Sequence, residues 1–218
     1  MDLTAWKGVP GPERAPMDGR YARLEPLHFA THATSLYQAA SAAGEGDRFR
    51  YLPDGPPADF SAFTRWFEMA VALEDQLFFA VIDKATGRAE GRQALMRIDT
   101  ANGVIEIGNI MWGPAMTRTR VATEAFLLFA DRVFALGYRR FEWKCNNLNE
   151  PSKRAALRFG FTFEGIFRQH MVVKGLNRDT AWFAIIDAEW PRLKAGFEAW
   201  LRPENFDEEG RQRTRLSF

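Results

Sequence analysis

The chain has a single cysteine, Cys145, in 218 residues, so it can form no internal disulfide and no thiolate cluster around a metal. Histidine is nearly as scarce. Of the three, His28 and His32 stand four apart and His170 is remote; the pair is read as a partly exposed helix face, and no metal site is expected. Charge of one sign is also missing. The 29 basic and 28 acidic side chains leave a formal net charge of +1, which supplies no global attraction to nucleic acid or to an anionic membrane. No apolar run is long enough to cross a bilayer, and Met1 to Lys7 has neither a basic start nor an apolar stretch, so a cytoplasmic location is expected. Repeats and low-complexity tracts are absent.

What remains is a chain of 46% hydrophobic content, enough for one substantial core. Residues 1–18 read as a surface arm, 19–201 as one domain and 202–218 as a polar, peripheral tail. Strands and helices alternate in an α/β manner. Arg20 to Leu24 reads as a strand, His28 to Ala40 as a helix, and Phe60 to Leu73 as a second helix capped by Asp59. Between the helices, Ser41 to Ala58 is long and irregular, which in a compact domain marks function or disorder. Leu77 to Asp83, Glu90 to Asp99 and Val104 to Trp112 follow as an antiparallel meander with turns at Thr86-Gly87 and at Ala101 to Gly103. Tyr138 to Cys145, Thr162 to Val173 and Asp179 to Asp187 read as later strands, and Trp190 to Trp200 as a closing helix.

Two segments carry chemistry. After the strand ending at Trp112, Pro114 to Ala125 is a basic loop that opens an amphipathic helix, with Val121, Ala125, Leu128, Phe129 and Val133 at helical spacing and Gly137 past its end. Free main-chain NH groups and the helix dipole at such a start hold phosphate; solvated Arg118 and Arg120 are the plain alternative. Further on, Asn149 caps a short helix carrying Ser152, Ala155, Ala156 and Phe159, which Gly160 stops.

These landmarks, with Glu106-Ile-Gly108, Arg158 to Phe161, Glu164-Gly165 and Asn177 to Thr180, occur in an order that resembles the GNAT superfamily of acyl-CoA-dependent N-acetyltransferases, and within it the RimJ/RimL-like branch, from about Gly19 to Trp190. The resemblance implies a mixed, mostly antiparallel central sheet with helices on both faces. It implies acetyl-CoA as donor and a primary amine as acceptor, either a protein amino terminus or a small molecule. It also implies that Ile110, Met111 and Trp112 line the thioester, that Thr117, Arg118, Thr119, Arg120, Val121 and Ala122 form the pyrophosphate turn, and that Asn149 and Ser152 meet the pantetheine arm. One departure stands out. Places the family usually fills with Gln or Arg and with Gly hold Thr117 and Arg120, so the Arg120 side chain either turns away or adds a charged contact.

Acetyl transfer to an amine needs a base, because an ammonium has no lone pair. Glu106 interrupts the apolar run Val104 to Ile107 and matches the acidic cleft position of the resembled branch; among apolar neighbours its pKa would rise. The other reading is a solvated residue on the open strand face. The resemblance implies that Ser152 donates the proton to the departing thiolate and that Asn149 contacts the pantetheine; the other readings are a plain first-turn serine and only a cap. His170, in a polar strand segment, lines the acceptor pocket or faces solvent. Cys145 is expected to be buried and inert. A GNAT-fold module that binds acyl-CoA without turnover is the competing reading, and any self-association is expected as a homodimer through an edge strand.

Overall fold

Alternation of apolar side chains decides the layering. In β3 (Gln76–Asp83), Leu77, Phe79 and Val81 enter one core while Phe78 and Ala80 enter another. A strand buried on both faces lies inside a sheet that is covered twice. The computed structural model describes residues 2–42 and 46–218. Its strands are β1 (Met17–Asp18), β2 (Ala22–Pro26), β3, β4 (Arg88–Asp99), β5 (Val104–Trp112), β6 (Arg140–Asn146), β7 (Thr162–Val173) and β8 (Leu176–Ile186). The helices are α1 (Phe29–Ala40), α2 (Phe60–Ala72), α3 (Arg120–Ala135), α4 (Glu150–Arg158) and α5 (Trp190–Trp200).

All eight strands form one sheet in the order β1-β2-β3-β4-β5-β6-β8-β7, antiparallel except where α3 carries the chain from β5 to a parallel β6. This is the mixed, mostly antiparallel α/β sheet expected from the sequence. α1 and α2 cover one face through Leu36, Phe63 and Phe67, and α3, α4 and α5 cover the other through Phe126, Phe129, Phe159 and Phe197. Asp59 caps α2 by accepting the Ala62 NH at 2.7 Å. The last hairpin turns on Lys174 and Gly175, with φ 51 and 76, the two left-handed residues of the tight turn that matches strand twist.

One residue departs from the expectations, and the connecting and terminal segments gain definition. His32 is not exposed: it is 2% accessible, with Nε2 3.0 Å from Glu25 Oε2 and Nδ1 accepting the His28 NH. Segment 202–218 folds back on the domain, Phe206 packing against Trp200 and Phe218 against Phe197, each pair with ring centres 5.0 Å apart. The connection Ser41 to Ala58, of which 43–45 lie outside the described residues, contains the 3₁₀ turn Gly46–Phe49 and is tied down, Phe49 being buried. In the arm, whose Met1 is also outside the described residues, Val9 NH bonds Thr100 O at 2.9 Å.

Candidate active site

The site begins where two strands part. β5 pairs with β6 from Val104 and Arg140 to Ile107 and Trp143, and beyond that point the two strands continue to Trp112 and Asn146 paired with β4 and β8 but not with each other. Their facing peptide groups are left open for a ligand. A bulge causes the parting: Asn109 takes φ 50, and the register with β4 slips between Arg92 and Ala94. One extra residue re-aims the side chains after it. Ile110 therefore packs toward the α3 core, Met111 is buried against the α1 and α2 core, and Trp112 lies against Phe159 with ring centres 6.2 Å apart. Met111 can reach a ligand only through its main chain.

The loop after β5 is open. Pro114, Ala115, Thr117 and Arg118 are exposed, and Met116 is the plug, 1% accessible, seated where Gly91 leaves room: a Cβ there would come within 2.8 Å of its sulfur. Thr119 caps α3, accepting the Ala122 NH at 3.4 Å and donating its hydroxyl to Met116 O at 2.7 Å. Arg118 is left-handed at φ 63. The amides of Arg120 and Val121 stand in the first turn, where no intrahelical acceptor exists, so they and the dipole face any anion.

The two arginines of this loop differ. Arg120 turns away: its guanidinium lies over the Tyr21 ring at 4.3 Å and over Phe206 at 5.2 Å, so only its main chain joins the turn. Thr117 Oγ1 accepts from Arg48 at 2.8 Å. A hollow of about 540 Å³ opens beside the start of α3, lined by Arg20, Tyr21, Thr119, Arg120 and Val121. Arg118→Ala is expected to weaken acetyl-CoA binding about fivefold, the loss of one exposed charged contact of roughly 1 kcal/mol, and Arg120→Ala less than about twofold. Calorimetric titration of both variants checks the contrast.

On the α3 side of the fork, α4 presents Ser152. Its Oγ accepts the Trp143 indole NH at 2.9 Å, which leaves the hydroxyl proton to be given elsewhere. Asn149 Oδ1 accepts the Ser152 NH at 3.1 Å, so the oxygen caps the helix and the side-chain amide NH₂ is the part left for a ligand. Cys145 is 5% accessible and burial pushes its thiol pKa up, as suits an inert side chain.

The other face of the fork is polar. Glu106, 3% accessible, lies 2.8 Å from Arg97 Nη1 and 3.0 Å from Lys144 Nζ. Its neighbours are thus cations and not the apolar groups expected from the sequence. Ile105 and Ile107 point to the opposite face, while adjoining strands supply what surrounds residue 106. Lys144 also meets Glu142 at 2.7 Å and sits 3.7 Å above the Trp182 ring; Glu142 in turn holds Arg140, which pairs with Glu164. His170 is exposed on the same face, its Nδ1 2.9 Å from Thr180 Oγ1 and its ring 6.1 Å from Trp182. Glu106 and Ser152 therefore stand on opposite faces of the sheet where β5 and β6 divide.

The run Arg48-Phe-Arg-Tyr51 reads in the sequence as an attraction for an acidic or aromatic acceptor or as a solvated loop, whereas Asp54, Arg92 and Lys174, which complete this wall, are not singled out there. The segment before α2 is strapped to the fork by Arg48 to Trp112 O at 2.5 Å, by Tyr51 to Leu148 O at 3.2 Å and by Lys174 to Phe49 O at 2.8 Å. Arg92, 2% accessible, pairs with Asp54 at 2.6 Å and stacks on Trp66 at 3.9 Å. A further signal in the chain is Glu142 and Lys144 alternating with Phe141, Trp143 and Cys145, a strand whose second face is charged.

This chain has a strand pair that divides beside a helix start, with a capped serine helix on one side and a charged face on the other. The Acetyltransferase (GNAT) domain model matches residues 23–162. A GCN5-related N-acetyltransferase from Brucella melitensis is 58% identical, with 98% of this chain and 97% of that one covered and a TM-score of 0.96. The chain belongs to the GNAT acetyltransferase family. A probable acetyltransferase of that family from Chromobacterium violaceum ATCC 12472 is 40% identical over 88% of this chain and 96% of its own, TM-score 0.80. Mycobacterium smegmatis RimJ, solved in complex with CoA-disulfide, shares the fold at 20% identity, TM-score 0.67, covering 85% of this chain and 92% of its own. No curated protein matches. As a GNAT acetyltransferase, the chain is an enzyme that transfers acetyl from acetyl-CoA. Among the described residues no helix is long and apolar enough to cross a membrane, and no group of three potential metal ligands occurs.

Proposed function

We propose that this GNAT acetyltransferase transfers acetyl to a primary amine by direct attack, with the donor threaded through the fork between β5 and β6. The carrying observation is that Glu106 and Ser152 flank that fork from opposite faces. The amides of Arg118, Arg120 and Val121 hold the pyrophosphate, with Arg118 adding charge, Thr117 contributing main chain, and Thr119 and Ala122, whose own amides are engaged at Met116 O and Thr119 Oγ1, shaping the turn. The Asn149 side-chain NH₂ meets the pantetheine amides. A main-chain NH of the Ile110 to Trp112 segment that points toward β6 meets the thioester oxygen as it gains negative charge.

On the polar face, Glu106 takes a proton from the acceptor ammonium through water. The freed nitrogen forms the new C–N bond as the C–S bond breaks. The nitrogen of the adduct gives up its second proton through the same water to Glu106, which has passed the first to solvent; Ser152 gives its hydroxyl proton to the departing thiolate and recovers one from solvent, so that one proton is released per turnover without a covalent enzyme intermediate. His170, beside Trp182, lines the acceptor end. The RimJ/RimL-like order of motifs keeps two acceptors in view, a protein amino terminus and a small amine. The buried free thiol of Cys145 suits a reducing, cytoplasmic setting, and the long edge strand β7 is the surface through which a homodimer would form.

The test is free-thiol release from acetyl-CoA with a panel of amines and peptides, and mass analysis of the acceptors. The expected result is release with one acetyl group gained on nitrogen. Binding of acetyl-CoA with no acceptor modified, or acetyl found on oxygen, overturns the proposal.

A further inference from the structure

Arg178 is set apart from the other cations of the polar face. Arg97 and Lys144 are matched with Glu106, Arg140 with Glu142 and Glu164, and Arg92 with Asp54. Arg178, on β8, is partly buried, and its Nε donates to Thr180 Oγ1 at 3.2 Å. Its terminal nitrogens reach no carboxylate among the described residues. It lies two residues beyond the point where Thr180 pairs with Asn146, the last residue of β6, and within electrostatic reach of both Glu106 and Cys145. That location is the mouth of the fork.

A partly desolvated guanidinium whose terminal nitrogens touch no carboxylate is stabilised by an anion that completes it. The site is built to hold that geometry. Thr180 is 1% accessible, and its hydroxyl is shared between Arg178 Nε and His170 Nδ1, which fixes the guanidinium plane and ties it to the acceptor wall. With Nε engaged, the two terminal amino groups remain, the paired donors that match a carboxylate in two parallel hydrogen bonds. The nearest carboxylate of the fork, Glu106, is already shared by Arg97 and Lys144.

We infer that Arg178 binds a carboxylate of the acceptor, so that the substrate is an amine carrying a carboxylate a few bonds from its nitrogen. Such a zwitterion puts its ammonium toward Glu106 and its carboxylate toward Arg178, each opposite its complement. Free α-amino acids and peptides whose first residue is Asp or Glu both present this chemistry. The inference rests on the N-acetyltransferase reading above and narrows its acceptor.

The experiment measures kcat/KM with acetyl-CoA for two matched series: α-amino acids against their carboxamides, and peptides beginning with Asp or Glu against the same peptides beginning with Asn or Gln. In at least one series the acid is expected to exceed its amide by about tenfold or more. In Arg178→Gln that ratio falls toward one through a higher KM for the acid, and Arg178→Lys restores part of it. Acetyl-CoA affinity, measured by calorimetry, serves as the control for donor contact. Acid and amide acetylated equally by the natural enzyme, or a loss of acetyl-CoA affinity in Arg178→Gln that accounts for its deficit, overturns the inference and leaves the N-acetyltransferase reading standing. Turnover of no amine at all overturns both. The preference of the natural enzyme decides the matter even where a variant does not fold.

Discussion

Glu106→Gln is expected to lower kcat on the order of a hundredfold or more while acetyl-CoA affinity stays within about twofold. Proton transfer by a placed side chain contributes that much, and glutamine keeps the shape of glutamate while losing the ability to take a proton. Structure limits the collateral damage. Lys144 keeps Glu142 at 2.7 Å and the Trp182 ring beneath it, so the cation is not stranded when residue 106 becomes neutral. The pH profile is the discriminating readout. As pH approaches the pKa of the acceptor ammonium, free amine arises without help, and the deficit of the variant should shrink. Steady-state kinetics across pH, with calorimetry for acetyl-CoA, test this. A kcat close to that of the natural enzyme, or a deficit equal at every pH, removes Glu106 from the role of base.

Phe126→Ala is expected to destabilise the protein by about 4 kcal/mol, the range for deleting a fully buried aromatic ring, and to lower Tm by about 10 °C for a chain of this size. Phe126 is fully buried. Its ring lies 4.5 Å from that of Phe159 at the end of α4, with Phe161 at 5.6 Å and Phe197 of α5 at 5.4 Å. One side chain thus locks α3, which begins with the pyrophosphate turn, to α4, which carries Ser152. Denaturant and thermal unfolding give the loss, and Phe126→Leu should show less than half of it. A loss under about 1.5 kcal/mol means that the helices are fixed by something other than this stack.

What the chain discloses by itself follows from near-neighbour physics. The core helices, the meander strands, the Asp59 and Asn149 caps, and the open basic turn depend on spacing and on cap chemistry within a few residues, and these are legible in order along the sequence. The order and spacing of those motifs also carry the family.

Tertiary structure decided the rest, because charge environment depends on residues distant in sequence. Glu106 was read among Ile105 and Ile107, yet its surroundings come from Arg97 on β4 and Lys144 on β6, brought in by strand pairing. Arg120 looks the same in sequence whether it faces phosphate or not; Tyr21 and Phe206, from the two ends of the chain, turn it away. The segments 1–18 and 202–218 look peripheral by composition, but a few aromatic anchors suffice to seat them. His32 follows the same rule, since only the fold could bury it against Glu25. A strand or helix is selected by its own periodicity, whereas the partner of a charged group is selected by whichever chain segment the packing of the core carries to it.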